Sequence, residues 1–166
     1  MSDEFQNSLR AELIEHTVRK YADMIFRLAY QNLKNYSDAE DILQEVSVAL
    51  ITKNAPLGDP DHLRSWIVRV TLNKCKDFHK AFWRRNTEPI DDHLDLIAPE
   101  QQEVLEELFD LPDNYRLIIY LYYYEAFTIS EIADLLGKSP NTVSSSLQRA
   151  RKKLKTLLTE GGFKYE

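Results

Sequence analysis

Three sets of side chains in this 166-residue chain have the types and spacing to do chemistry. Arg69, Asn73, Lys76 and Lys80 recur at helical spacing, which sets an amide among cations on one face. An amide pairs with a base edge and cations hold phosphates, so that face suits nucleic acid. Near the C-terminus Asn141, Thr142, Ser144, Ser145 and Gln148 precede Arg149 and Lys152. Short polar groups there reach base edges and the cations beyond them reach phosphates. Asp38, Asp41 and Glu45, with Gln44 and Val48 beside them, make an acidic helix face whose plain reading is a solvated surface. Catalytic arrangements are not visible: there is no acid pair, triad or nucleotide-binding loop, and Asp91, Asp92 and His93 lack supporting ligands. One Cys, Cys75, and four scattered His offer neither an internal disulfide nor a zinc spacing, so no enzyme, metal or cofactor is expected.

The elements that position these groups must be helices. Only four Gly and six Pro leave room for few tight turns, which argues against an all-β fold. A hydrophobic share of 43% and a charged share of 29% belong to a folded globular chain. The net charge of −6 conceals a segregation. Arg64 to Arg85 and Lys138 to Lys155 are strongly basic, whereas Asn86 to Asp110 carries acids and no Lys or Arg. Two basic blocks around an acidic one favour a nucleic-acid partner over chance clustering. The longest apolar run, Leu117 to Tyr124, is far short of the roughly 18 residues of a membrane span, and the N-terminus has no apolar signal region. A cytoplasmic protein with no direct membrane insertion is expected.

Periodicity places the helices. His16 to Lys34 reads as amphipathic through Tyr21, Ile25, Leu28 and Leu33. From Ser37, the residues Ala39, Ile42, Leu43, Val46, Ala49 and Leu50 form one stripe, with Ser37 and Glu40 as its capping box. A loop containing Pro56, Gly58 and Pro60 follows, and His62 to Trp83 is a long helix burying Leu63, Trp66, Ile67, Val70 and Phe78. Asn86 to Pro99 is an acidic linker of at most about 50 Å, and it separates two domains. Four helices remain: Glu100 to Asp110, Pro112 to Tyr124, Thr128 to Leu136 and Pro140 to Leu158. Thr128 caps the third, Gly137 ends it, and Ser139 caps the fourth with Pro140 in its first position. That is helix-turn-helix spacing, with small Ala133 allowing close approach. Val143, Leu147, Ala150, Leu154 and Leu157 form the inner stripe of the last helix.

Two blocks together resemble a known family. YADMIFRLAY, SDAEDILQEVSVAL and HLRSWIVRVTLNKCKDFHKAFWRR in the first half, and LPDNYRLIIYLYYYEAFTISEIADLLGKSPNTVSSSLQRARKKL in the second, are similar to regions 2 and 4 of the extracytoplasmic-function group of bacterial RNA polymerase sigma factors. The resemblance implies an all-α fold: a region 2 domain over 1–85, an acidic linker over 86–99 and a helix-turn-helix region 4 domain over 100–166. It implies that Asp38, Asp41, Gln44 and Glu45 dock on the clamp helices of core RNA polymerase. It also implies that the loop from Gly58 to His62 surrounds a flipped base. Asp61, His62, Arg64, Trp66, Arg69, Asn73, Lys76, Lys80 and Arg84 then serve the minus-ten element, with Trp66 read as core or as a base-stacking ring.

In region 4, Asn141, Thr142, Ser144, Ser145, Gln148, Arg149 and Lys152 serve the minus-thirty-five element. Ser144 and Ser146 stand where the family commonly has basic residues, and Lys138 where it has an aliphatic one. The stripe Tyr120, Leu121, Tyr123 and Tyr124 reads as core, with a polymerase-flap contact as the alternative. The implied linker path is the RNA exit channel, its carboxylates standing in for RNA phosphates. The implied partners are core polymerase at clamp helices and flap, promoter DNA and an anti-sigma factor. An autonomous helix-turn-helix regulator is the alternative function, and a helical adaptor binding protein alone is a further one.

Overall fold

The computed structural model describes residues 2–85 and 108–160. All regular elements among them are helical, and the chain divides into two compact units, Met1–Asp95 and Leu96–Glu166. In the first unit α1 spans Asp3–Leu33, α2 Tyr36–Thr52 and α3 Pro60–Arg85. In the second α4 spans Asp113–Ile119 and continues into a π turn at Tyr120–Tyr124, followed by α5 at Ile129–Leu136 and α6 at Pro140–Glu160. The linker from 86 to 99, with Asp91, Asp92 and His93, lies outside the described residues, as does most of the helix expected over 100–110.

The core of the first unit forms where three apolar stripes meet. Ile25, Leu28 and Ala29 of α1 are fully buried, with Ala39, Val46 and Leu50 of α2 and Ile67 and Val68 of α3. Each large aliphatic side chain so buried contributes about 1.5–3 kcal/mol. Lys34, in a left-handed conformation (φ 53°), closes α1 by donating its N–H to the Tyr30 carbonyl at 2.7 Å. The cap of α2 differs from expectation. Asn35, not Ser37, caps it, its side-chain oxygen accepting from the Asp38 N–H at 2.9 Å. Glu40 is therefore not a capping-box partner; it lies beside the Tyr36 hydroxyl, whose pKa its charge raises, with desolvation and their hydrogen bond adding to the effect. The first helix also starts at Asp3, well before His16, exposing Phe5, Leu9 and Leu13.

α3 starts at Pro60, whose missing N–H suits a first helical position, after Asp59 caps the His62 N–H at 3.2 Å. Its buried seam is Leu63, Ile67, Val68, Thr71 and Cys75. Trp66, Val70 and Phe78, expected inside, are only half-buried on the flanks. His79 fastens α3 to the end of α1: its Nε2 lies 3.0 Å from the Asn32 carbonyl, and since a carbonyl only accepts, Nε2 carries the proton.

The second unit packs α4 and α5 against α6, burying Ile118, Ile119, Ile132, Ala133, Val143, Leu147 and Ala150. Leu154 and Leu157, expected in the same stripe, are half-buried. A buried Arg116 is held by the Asp113 carboxylate at 2.5 Å, by the Leu111 carbonyl at 3.2 Å and over the Phe109 ring at 5.4 Å. The helix expected over 112–124 is not uniform. Beyond Ile119 it widens, and the Glu125 N–H reaches the Tyr120 carbonyl at 3.2 Å. The widening splits the aromatic stripe: Tyr120 and Leu121 are buried, as expected, but Tyr123 and Tyr124 face out.

Candidate nucleic-acid interface

On α2 the i, i+3, i+4, i+7 spacing of the helix sends Asp41, Gln44, Glu45 and Val48 outward together, and Lys74 of α3 joins them around a groove of about 510 Å³. Asp38 stands at the edge of this face, half-buried; burial and then the Asp41 carboxylate push its pKa up. Behind the groove, Cys75 is buried. Desolvation first, then the Glu45 charge, push its thiol up to about 12, so it is a neutral packing group with no nucleophilic role. Sequence reasoning had no place for Ile51, which is 59% exposed and lines a separate groove with Ala11, Ile14 and Val18 of α1.

The basic face of α3 is assembled as expected. Arg69, Asn73, Lys76 and Lys80 are all exposed, spaced four, three and four residues apart along one side of a continuous helix. His79, beside them, is committed to the Asn32 carbonyl, so it holds the helix in place and leaves the outward face to its neighbours. At the front, Asp61 and His62 are exposed in the first turn, while Arg64 and Trp66 are half-buried. At the back Arg84 is exposed, and so is Trp83, at 64% the most exposed large hydrophobic side chain among the described residues. The sequence held the signal for Trp83, since it lies three residues after Lys80, but a tryptophan at the end of an amphipathic helix reads as core.

The second candidate surface is built by two caps and one turn. Thr128 and Glu131 form a capping box at the start of α5, with both bonds at 3.1 Å. Gly137 ends α5 in a left-handed conformation at φ 64°. Ser139 then caps α6, accepting from the Thr142 N–H at 3.1 Å, with the Thr142 hydroxyl 2.8 Å away. Asn141, Thr142, Ser145 and Arg149 line one shallow hollow of about 240 Å³, and Gln148 and Lys152 are exposed. Ser144 is half-buried, and Ser146 is buried. Lys138 is exposed at the turn. Arg151 is not part of the reading face. It bonds the Tyr123 hydroxyl and lies over the Tyr122 and Tyr123 rings at 5.4 Å.

Among the described residues no group of three or more His, Cys, Asp or Glu could hold a metal ion, and no helix is long and apolar enough to cross a membrane.

Comparison with known proteins matches both units. Residues 17–86 match the family model for sigma-70 region 2, and residues 101–154 match that for sigma-70 region 4. The RNA polymerase sigma factor SigV of Bacillus subtilis is 28% identical over 142 residues, covering 81% of this chain and 84% of that protein. The sigma factor SigW of the same organism, of the extracytoplasmic-function group, is 27% identical over 160 residues, covering 84% and 86%. Two solved structures share the fold. CnrH in complex with the cytosolic domain of CnrY has a TM-score of 0.65 at 23% identity, covering 92% of this chain and 96% of that one. RpoE in complex with the anti-sigma factor NepR, from Bartonella quintana, has a TM-score of 0.65 at 19% identity, covering 95% and 98%.

Proposed function

Because the chain belongs to the extracytoplasmic-function group of the sigma-70 family, and is a sigma factor for promoter recognition and transcription initiation, we propose how its residues divide that work. The region 2 domain over 1–85 takes core polymerase on α2 and the minus-ten element on α3. The region 4 domain over 100–166 takes the minus-thirty-five element on α6, and the acidic segment over 86–99 joins them.

Asp41, Gln44 and Glu45 meet the clamp helices of core polymerase, with Asp38 at the margin and Val48 giving the contact an apolar centre. Exposed charge of one sign steers encounter with a basic surface, and the apolar centre supplies area. Tyr123 and Tyr124 give region 4 an aromatic patch for the flap. On α3, Asn73 pairs with a base edge while Arg69, Lys76, Lys80 and Arg84 hold the strand by its phosphates. The first turn, with Asp61, His62, Arg64 and Trp66, surrounds the flipped base. On α6, Asn141, Thr142, Ser144, Ser145 and Gln148 face base edges in the major groove, and Arg149 and Lys152 hold the backbone.

Flipping a base out of a duplex costs a few kcal/mol. The protein catalyses no reaction of its own, and the affinity of the α3 face for the opened strand offsets that cost. The place of action is the cytoplasm, where polymerase and promoter meet. An anti-sigma factor is a fitting partner, since the solved RpoE chain of the same fold is held by one. The observation that carries this reading is the single exposed stripe of Arg69, Asn73, Lys76 and Lys80 on α3.

The test is permanganate footprinting of unpaired thymines on a promoter library, with and without core polymerase. Reactive thymines near the start site only when both proteins are present are expected. Tight sequence-specific duplex binding without core polymerase, and no polymerase-dependent melting, refutes the reading in favour of an autonomous regulator.

A further inference from the structure

Tryptophan is seldom left in water, because its large ring gains from burial. Trp83 nevertheless has 64% of its surface exposed, more than any other large hydrophobic side chain described. Its only described ring contact is edge-on, with Phe82 at a centroid distance of 6.3 Å. The position is not arbitrary. The polar stripe of α3 runs Arg69, Asn73, Lys76, Lys80, and the next residue on that line, three further on, is Trp83. All five are exposed, and Arg84 and Arg85 follow directly, also exposed. At 1.5 Å per residue the ring stands about 15 Å along the helix from Asn73. A flat aromatic face set among cations is the arrangement that holds a nucleic-acid strand without reading its sequence, the cations on phosphates and the ring on a base or sugar.

We propose that Trp83 is a DNA contact, its indole packing on a base or deoxyribose of the promoter where the DNA passes the C-terminal end of α3. The proposal rests on the reading of α3 as the minus-ten face. It gives the far end of that face an aromatic anchor that is indifferent to sequence. Asn73 supplies base choice, and Trp83 supplies grip.

The experiment uses the full chain assembled with core polymerase, comparing Trp83→Ala, Trp83→Phe and Trp83→Tyr with Asn73→Ala. Trp83→Ala is expected to reduce open-complex formation about tenfold, the loss typical of one stacked ring, with core binding and thermal stability unchanged. The Phe and Tyr variants are expected to retain most of the activity. Trp83→p-benzoylphenylalanine is expected to crosslink promoter DNA on irradiation, and the crosslinked position tells opened strand from flanking duplex. Wild-type opening by Trp83→Ala, no rescue by Phe or Tyr, or crosslinks to protein alone overturns the proposal. If Asn73→Ala impairs opening while Trp83→Ala does not, the α3 reading stands and this inference alone falls. If neither variant impairs opening, both fall.

Discussion

Two residues flank the start and end of α5 with the same backbone conformation and opposite chemistry. Gly137 has φ 64° and Ala126 has φ 54°. A Cβ on Gly137 meets nothing within 4 Å, so the whole effect of Gly137→Ala is conformational. An L side chain in the left-handed region is strained by about 1–2 kcal/mol. Against this, losing a glycine restricts the unfolded chain and returns about 0.4–1 kcal/mol. The net expectation is that Gly137→Ala destabilises the second unit by about 1 kcal/mol, roughly a fivefold change in its folded-to-unfolded ratio. Ala126 is exposed, so Ala126→Gly relieves the same strain with little lost packing, and stabilises the unit by a similar amount. Gly137→Asn should fall between, since asparagine tolerates this conformation better than alanine. Hydrogen exchange of the α5 and α6 amides, read by mass spectrometry, isolates the second unit from the first. Protection should fall about fivefold in Gly137→Ala and rise by a like factor in Ala126→Gly, with no change in α1 to α3. Equal protection in all three proteins, or a shift of the same sign in both single variants, refutes the reasoning.

Other perturbations address the first unit. Asp41→Arg with Glu45→Arg reverses the outward charge of α2 and should weaken core polymerase binding about tenfold at low salt, measured by competition with wild type; unchanged affinity removes the clamp-helix assignment. Asn73→Ala should lower promoter opening roughly tenfold, the scale of one lost base contact, while core binding stays within twofold; equal loss of both defeats the assignment. Cys75 gives a pH signature. An ordinary thiol ionises near 9.0, whereas the buried one keeps its proton to about 12, so the unfolded state releases its proton first as pH rises. Stability from this group is fully present below pH 9 and is lost progressively toward pH 12. Trp66 and Trp83 both report on the first unit, so denaturant midpoints by tryptophan fluorescence at pH 7, 9 and 10 should fall more steeply in wild type than in Cys75→Ala. Parallel slopes contradict the buried-thiol reading.

Much of the fold was legible because it is written in apolar periodicity. The stripes of α2 and of α6 through Ala150 need only a helix and a core, and two caps and a glycine mark the helix-turn-helix. What was not legible depended on choices between near-equal local partners. Asn35 and Ser37 are both competent caps, and the Asn35 side chain is the one that takes the Asp38 N–H. The start of α1 carries Ser2 as its cap with Asp3 and Glu4 in the first turn, but its early apolar residues Phe5, Leu9 and Leu13 are exposed and form no buried stripe, so periodicity picked the helix up only at His16. Ser146 shows why the recognition face could be read only in part. A serine looks equally at home on a wet or a dry face, whereas Arg149 and Lys152 announce themselves. On α3 the cations and Asn73 were legible for the same reason, and the exposure of Trp83 was not, because a hydrophobic ring reads as core.

The wide turn at Tyr120–Tyr124 also bears on how such a helix tolerates gain and loss of residues. The Phe127 N–H reaches back to the Leu121 carbonyl at 2.9 Å, so the backbone here encloses more residues per turn than an α-helix does. A single surplus residue advances a helix by about 100°. The turn therefore sets the phase at which Tyr123 and Tyr124 leave the helix facing out, within reach of Arg151 on α6. The aromatic patch and α6 are thereby tied together, since Arg151 of α6 bonds the Tyr123 hydroxyl and lies over its ring, and a change in the length of this turn would be felt on both.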